Sequence, residues 1–180
     1  MASTQISRSV SSTGSITKGT LSVWFKRTKL DTEQFLFYSY ENGNNNGRVR
    51  ISSANKLEVE GLQGGSQSYT LRTSRIFADP NFWYHVVVAY DSTNSTAADR
   101  IKIYINGEDQ ANTAEGDTTE NRANPSSSAN MSFNENGSTV YIGGQAGSNY
   151  FEGSMSHYYW IDGTTYDASA FGSTDSTTGE

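Results

Sequence analysis

The chain has 180 residues, no cysteine, 34% hydrophobic and 12% aromatic residues, and a formal net charge of −6. That length suits one domain with a real core, and the aromatic content is not that of a disordered chain. Disulfides, thiolate metal sites and cysteine nucleophiles are excluded, and a sequence pI of about 4.9 argues against binding a nucleic-acid backbone.

The N-terminus, MASTQISRSVSSTG, has no apolar h-region, so it is not a secretory signal. No apolar run approaches the ~18 residues of a membrane span. The expectation is a soluble protein made in a cytosol, with no membrane insertion. The only basic cluster, Lys26 and Arg27 with Lys29, reads as a solvated strand end.

The periodicity is that of strands. Leu21, Val23 and Phe25 share one face of the first; Ser22, Trp24 and Lys26 share the other. Residues 34–38 (QFLFY) are apolar on both faces, as in a central strand. Residues 48–51 (RVRI) and 56–60 (KLEVE) alternate cleanly, with a turn at Ser53, Ala54 and Asn55 between them. Residues 69–72 (YTLR) add a short strand. The strongest pair is 83–90 (WYHVVVAY) and 101–105 (IKIYI), followed by a tight turn at Asn106-Gly107. After a long polar gap come 139–142 (TVYI) and 155–161 (MSHYYWI).

No window has helical spacing over three turns, and Pro80 and Pro125 lie outside every strand. The fold class is therefore all-β, a two-sheet antiparallel β-sandwich or jelly roll. Residues 1–165 are expected to form one domain with its core at about 20–162. Residues 166–180 read as a polar C-terminal segment, a linker to a further region.

Five stretches in this order, TLSVWFK at 20–26, WYHVVVAYD at 83–91, IKIYING at 101–107, VYIGG at 140–144 and FEGSM at 151–155, resemble the laminin-G-like, concanavalin-A-like jelly-roll superfamily. The glycine of FEGSM would let the chain cross close over a sheet edge. The ends carry a narrower resemblance. SRSVSSTGSITKGTLSVWFKRTKL and IDGTTYDASAFGSTDSTTGE are similar to jelly-roll proteins of tailed, often marine, bacteriophages. That resemblance implies a virion component displayed outside the capsid or tail. Its partners would be other virion proteins, further copies of itself as a homo-oligomer, and a host surface glycan.

Laminarinase-type glycoside hydrolases of this fold carry E-x-D-x-x-E, which Glu115, Asp117 and Glu120 reproduce in AEGDTTE. In the enzymes the intervening residues are mostly apolar; here they are Gly116, Thr118 and Thr119. The whole run 108–130 lacks Val, Ile, Leu and aromatics. Such a run does not anchor a central strand or raise the pKa of a general acid by burial, so it reads as a surface loop and the protein as no enzyme. The glycosidase remains the alternative.

His85 and His157 sit among aromatics without metal-ligand spacing and read as hydrogen-bonded structural residues. Calcium is the one cofactor left open. The family resemblance puts forward Asp91, Asn94 and Asp99, which bracket one hairpin loop; the simpler reading is a loop whose aspartate accepts backbone N–H bonds. For sugar, Tyr158 and Trp160 share the more polar face of the last strand with Ser154 and Ser156, and Tyr150 lies nearby. Aromatics so placed can stack on sugar rings; packing at a sandwich edge or against a neighbouring subunit is the competing reading.

Overall fold

The computed structural model describes residues 4–110 and 119–173, with 119–121 in backbone only. In chain order the strands are β1 (Ile6–Ser9), β2 (Lys18–Arg27), β3 (Gln34–Asn42), β4 (Asn45–Ile51), β5 (Lys56–Gln63), β6 (Ser66–Ile76), β7 (Tyr84–Asp91), β8 (Ile101–Ile105), β9 (Glu108–Asp109), β10 (Thr119–Ala123), β11 (Thr139–Ile142) and β12 (Gly153–Asp162). Seven form one sheet in the order β1-β11-β3-β4-β5-β6-β10. Five form the other in the order β12-β2-β7-β8-β9. The two antiparallel sheets make the sandwich that the sequence pattern implies.

Alternation builds the core. Leu21, Val23 and Phe25 of β2, Val86, Val88 and Tyr90 of β7, and Ile101, Ile103 and Ile105 of β8 are all buried on the inner face. The register Val86↔Ile105 to Tyr90↔Ile101 is that of the expected hairpin. Asn106 and Gly107 both have positive φ, at 52° and 86°, as its closing turn requires. Phe37, Val49, Val59 and Tyr69 meet them from the other sheet, with Phe133 from the connection between β10 and β11. Gly153 allows the approach of β12 to β2, since a β-carbon there would stand 2.0 Å from the Lys26 carbonyl oxygen.

Four features depart from the sequence reading. Arg27 is fully buried, not a solvated strand end. Its Nη1 donates to Asn55 Oδ1 and Phe77 O, both at 2.8 Å, and Nε to Gln34 Oε1 at 3.3 Å. Burial lowers its pKa, countered in part by Asp31.

The strands β1, β9 and β10 carry no clear period in the sequence because each is short and lies at a sheet edge. Backbone pairing alone can hold an edge strand, so the absence of apolar anchors around Glu120 did not keep that residue out of a strand.

Residues 163–171 fold back over the outer face of the five-stranded sheet rather than trailing away. Thr20 Oγ1 donates to Thr164 O (2.9 Å) and accepts from Tyr166 N (2.8 Å); Thr165 Oγ1 donates to Tyr90 O (2.9 Å). Ala168 is buried, and beneath this strap Val87 and Ala89 are buried on an outer face.

The fourth is a bulge in β12. Its pairing with β2 runs Met155↔Phe25 and Ser156↔Trp24, then resumes at Tyr159↔Ser22. His157 has φ 47°. One extra residue reverses the parity of everything after it.

Candidate glycan-binding site

The bulge decides what the last strand offers. Met155 before it and Tyr158 and Trp160 after it all pack against the core. Trp160 stacks on Phe37 at 4.6 Å between ring centroids and meets Phe133 edge-on at 5.6 Å. Tyr158 donates to Leu36 O at 3.3 Å. The outward placement expected for Tyr158 and Trp160 is therefore corrected: Tyr159 is the exposed ring. Tyr150 is half-buried beside Gly144, where a β-carbon would stand 3.3 Å from its ring. Of the E-x-D-x-x-E residues, Glu115 and Asp117 lie outside the described residues, and the Glu120 backbone pairs with Arg72 in β10.

Asp91, Asn94 and Asp99 do come together. With Ala89, Lys102, Tyr104, Thr165, Tyr166 and Asp167 they line an open groove of about 320 Å³. Each wall has a local cause. Ala89 and Asp91 are the outward positions of β7, and Lys102 and Tyr104 those of β8, alternating with the buried Val88, Tyr90 and isoleucines. The β7–β8 loop is cross-braced. Asp91 Oδ1 accepts from Thr93 N at 2.9 Å, Asn94 Oδ1 from Thr96 N at 2.9 Å, and Arg100 Nε donates to Asn94 O at 2.9 Å. The third wall is the strap, where Asp167 Oδ1 accepts from Ser169 N at 2.9 Å. The sequence concealed this wall because 163–171 lacks any strand or helix period.

Lysines hold the carboxylates. Lys18 Nζ lies 2.9 Å from Asp91 Oδ2, and Lys102 Nζ lies 3.2 Å from Asp99 Oδ1. Burial alone would raise the Asp91 carboxyl, but hydrogen bonds from Thr93 and Lys18 outweigh it and hold it below its ordinary value. Burial would likewise lower Lys102, yet Asp99 and Asp109 raise it. Calcium takes about six to eight oxygens. Here ammonium groups and Thr93 already engage the aspartates, and among the described residues no three His, Cys, Asp or Glu are grouped to hold a metal. The groove does not fit calcium. Its free surface is the Tyr166 ring, 42% exposed, with Tyr104, Asn94 and Asp167 around it.

Beyond the groove, the same outer face carries Trp24 stacked on His85 at 4.7 Å, with His85 Nε2 2.9 Å from Ser22 Oγ and Phe171 edge-on at 6.3 Å. Burial pushes the His85 pKa down. The unfolded chain then takes up the proton first, so stability from the neutral ring is complete above about pH 6.5 and falls as pH drops toward the lowered value. Melting at about pH 7.5 and about pH 5.5 checks this. The loss on acidification should shrink in His85→Gln; an equal loss would remove His85 as its source.

The two-sheet antiparallel sandwich defines the fold class of the chain. The chain belongs to that class by sequence as well: residues 3–168 match the concanavalin A-like lectin/glucanases superfamily. Among curated proteins none matches significantly. Solved structures with a similar fold include the Ruminococcus gnavus IT-sialidase CBM40 bound to α2,3-sialyllactose (TM-score 0.61, 16% identity, 92% of this chain and 95% of that chain). Domains LG4-5 of the mouse laminin α1 chain give a TM-score of 0.59 at 6% identity over 91% and 41%. The heptameric SAP-like pentraxin from Limulus polyphemus gives 0.52 at 15% over 86% and 68%.

Proposed function

We propose that the protein is a non-catalytic glycan-binding module whose groove holds a neutral sugar unit. The observation that carries this is the exposed Tyr166 ring set beside Asn94, Asp99 and Asp167 in a concavity of about 320 Å³. A tyrosine face receives the C–H side of a sugar ring, while carboxylate and amide oxygens accept from its hydroxyls. Three aspartates against Lys18 and Lys102 leave the groove with an excess of negative charge, which disfavours an acidic sugar there. The CBM40 structure bound to sialyllactose supports the general reading through its fold.

The finer reading is display on a phage virion, bound to virion proteins as a homo-oligomer and touching host glycan. The resemblance of both chain ends to tailed-phage proteins supports it, and Trp24 and Tyr159, each more than a third exposed, offer aromatic surface for a neighbour.

Retention on immobilised neutral polysaccharides tests the function. Tyr166→Ala should weaken retention at least about tenfold, with unfolding free energy unchanged within about 0.5 kcal/mol. Equal retention by Tyr166→Ala, or none by the wild type on any neutral polysaccharide, would refute the proposal.

A further inference from the structure

The outward face of the seven-stranded sheet carries a second constellation, independent of the groove. Cross-strand neighbours there are Arg48 and Glu60, and Arg50, Glu58 and Arg72. Val59, between the two glutamates, is buried in the core, so both carboxylates point away from it. They are nevertheless only 2% and 5% exposed. Arg48 Nε donates to Glu60 Oε2 at 2.8 Å, and Arg72 Nε to Glu58 Oε1 at 2.6 Å. Arg50 Nη2 lies 2.6 Å from Glu58 and 3.0 Å from Glu60, and its Nη1 meets Glu33. Arg50 Nε is buried without a hydrogen-bond partner.

Two carboxylates on one guanidinium are close enough to suggest a glycosidase pair. Here each is also engaged by a second arginine, which is an arrangement for holding side chains rather than for moving protons. Buried ion pairs are a poor way to stabilise a sheet, because apolar residues of similar volume do as well. Holding arginines in place is a different matter. Arg48 and Arg72 are anchored through Nε to Glu60 and Glu58. The Arg48 and Arg72 side chains are 22% and 37% exposed, against 7% and 3% for their partners Glu60 and Glu58, while Glu33 is partly exposed at the Arg50 end of the array. A chain of net charge −6 thus presents fixed guanidinium forks over sunken carboxylates. Such forks match a carboxylate or sulfate bidentately. Tyr38, opposite Arg48 and itself buried, packs with the half-buried Tyr40 and Tyr141 at 5.6 and 6.2 Å.

We propose that this face binds the anionic group of an acidic saccharide, with Arg48 and Arg72 as its contacts and Glu58 and Glu60 as positioning residues. Arginine Nε–Hε signals followed by NMR during titration with sodium glucuronate, glucose 6-sulfate, glucose and sodium sulfate test it. The Arg48 and Arg72 signals should shift saturably with glucuronate or glucose 6-sulfate, and whichever saturates first identifies the group. Glucose should leave them in place. Arg48→Ala and Arg72→Ala should each weaken binding at least about tenfold, Arg72→Lys should not restore it, and Glu60→Gln should weaken it several-fold. If a variant fails to fold, wild-type affinity falling steeply with added salt gives the same answer. Tyr166→Ala should leave this binding intact, so the two sites fail separately. No saturation by either acidic sugar, an equal response to glucose, wild-type affinity in both alanine variants, or a sodium sulfate affinity matching that of the sugars would overturn the proposal.

Discussion

Replacing Trp160 with alanine should destabilise the fold by about 3–5 kcal/mol, the range for large aromatics removed from a core. The ring is stacked on Phe37, meets Phe133 edge-on and lies 6.0 Å from Tyr90, so its removal opens a cavity among three other rings. Denaturant unfolding measures the loss. Tyr159→Ala, one position away but on the outward side of the bulge, should cost less than about 1 kcal/mol. The reverse order of effects would mean that the bulge at His157 is misplaced and that the polar face is the outward one.

Arg27→Ala should cost a similar amount, about 3–5 kcal/mol, by a different route. The guanidinium joins Thr32 and Gln34, Asn55, and Phe77, three separate segments of the chain. Its loss leaves the Phe77 carbonyl and the Gln34 amide oxygen buried without their donor. Urea unfolding at neutral pH measures the cost; a change below about 1 kcal/mol would show that water or rearranged side chains satisfy those oxygens.

The sequence made the sandwich legible where period and chemistry agreed. The isoleucines of β8 and the Asn106-Gly107 turn could be read directly, because apolar alternation and positive φ leave little choice. Two kinds of information were not local. A bulge is one residue long and has no composition of its own, so unbroken alternation turns Tyr158 and Trp160 outward, whereas the register shift turns them inward. Burial of a charge depends on partners distant in sequence, so nothing near Arg27 announced that Asn55 and Phe77 would surround it. The groove was half legible. Asp91, Asn94 and Asp99 stand close in sequence, whereas Tyr166 and Asp167 reach them only because the chain after β12 doubles back through Thr20.

The strap therefore belongs to the site, and mapping a bound sugar is the most direct test. Backbone and tyrosine ring signals should be followed by NMR while a neutral oligosaccharide that the protein retains is added. The expected result is saturable perturbation clustered at Tyr104, Tyr166, Asp167, Asn94 and Asp99, with Trp160 and Tyr158 unmoved. Perturbation centred elsewhere, with the Tyr166 ring signals unchanged at saturation, would contradict the assignment of the groove as the glycan site.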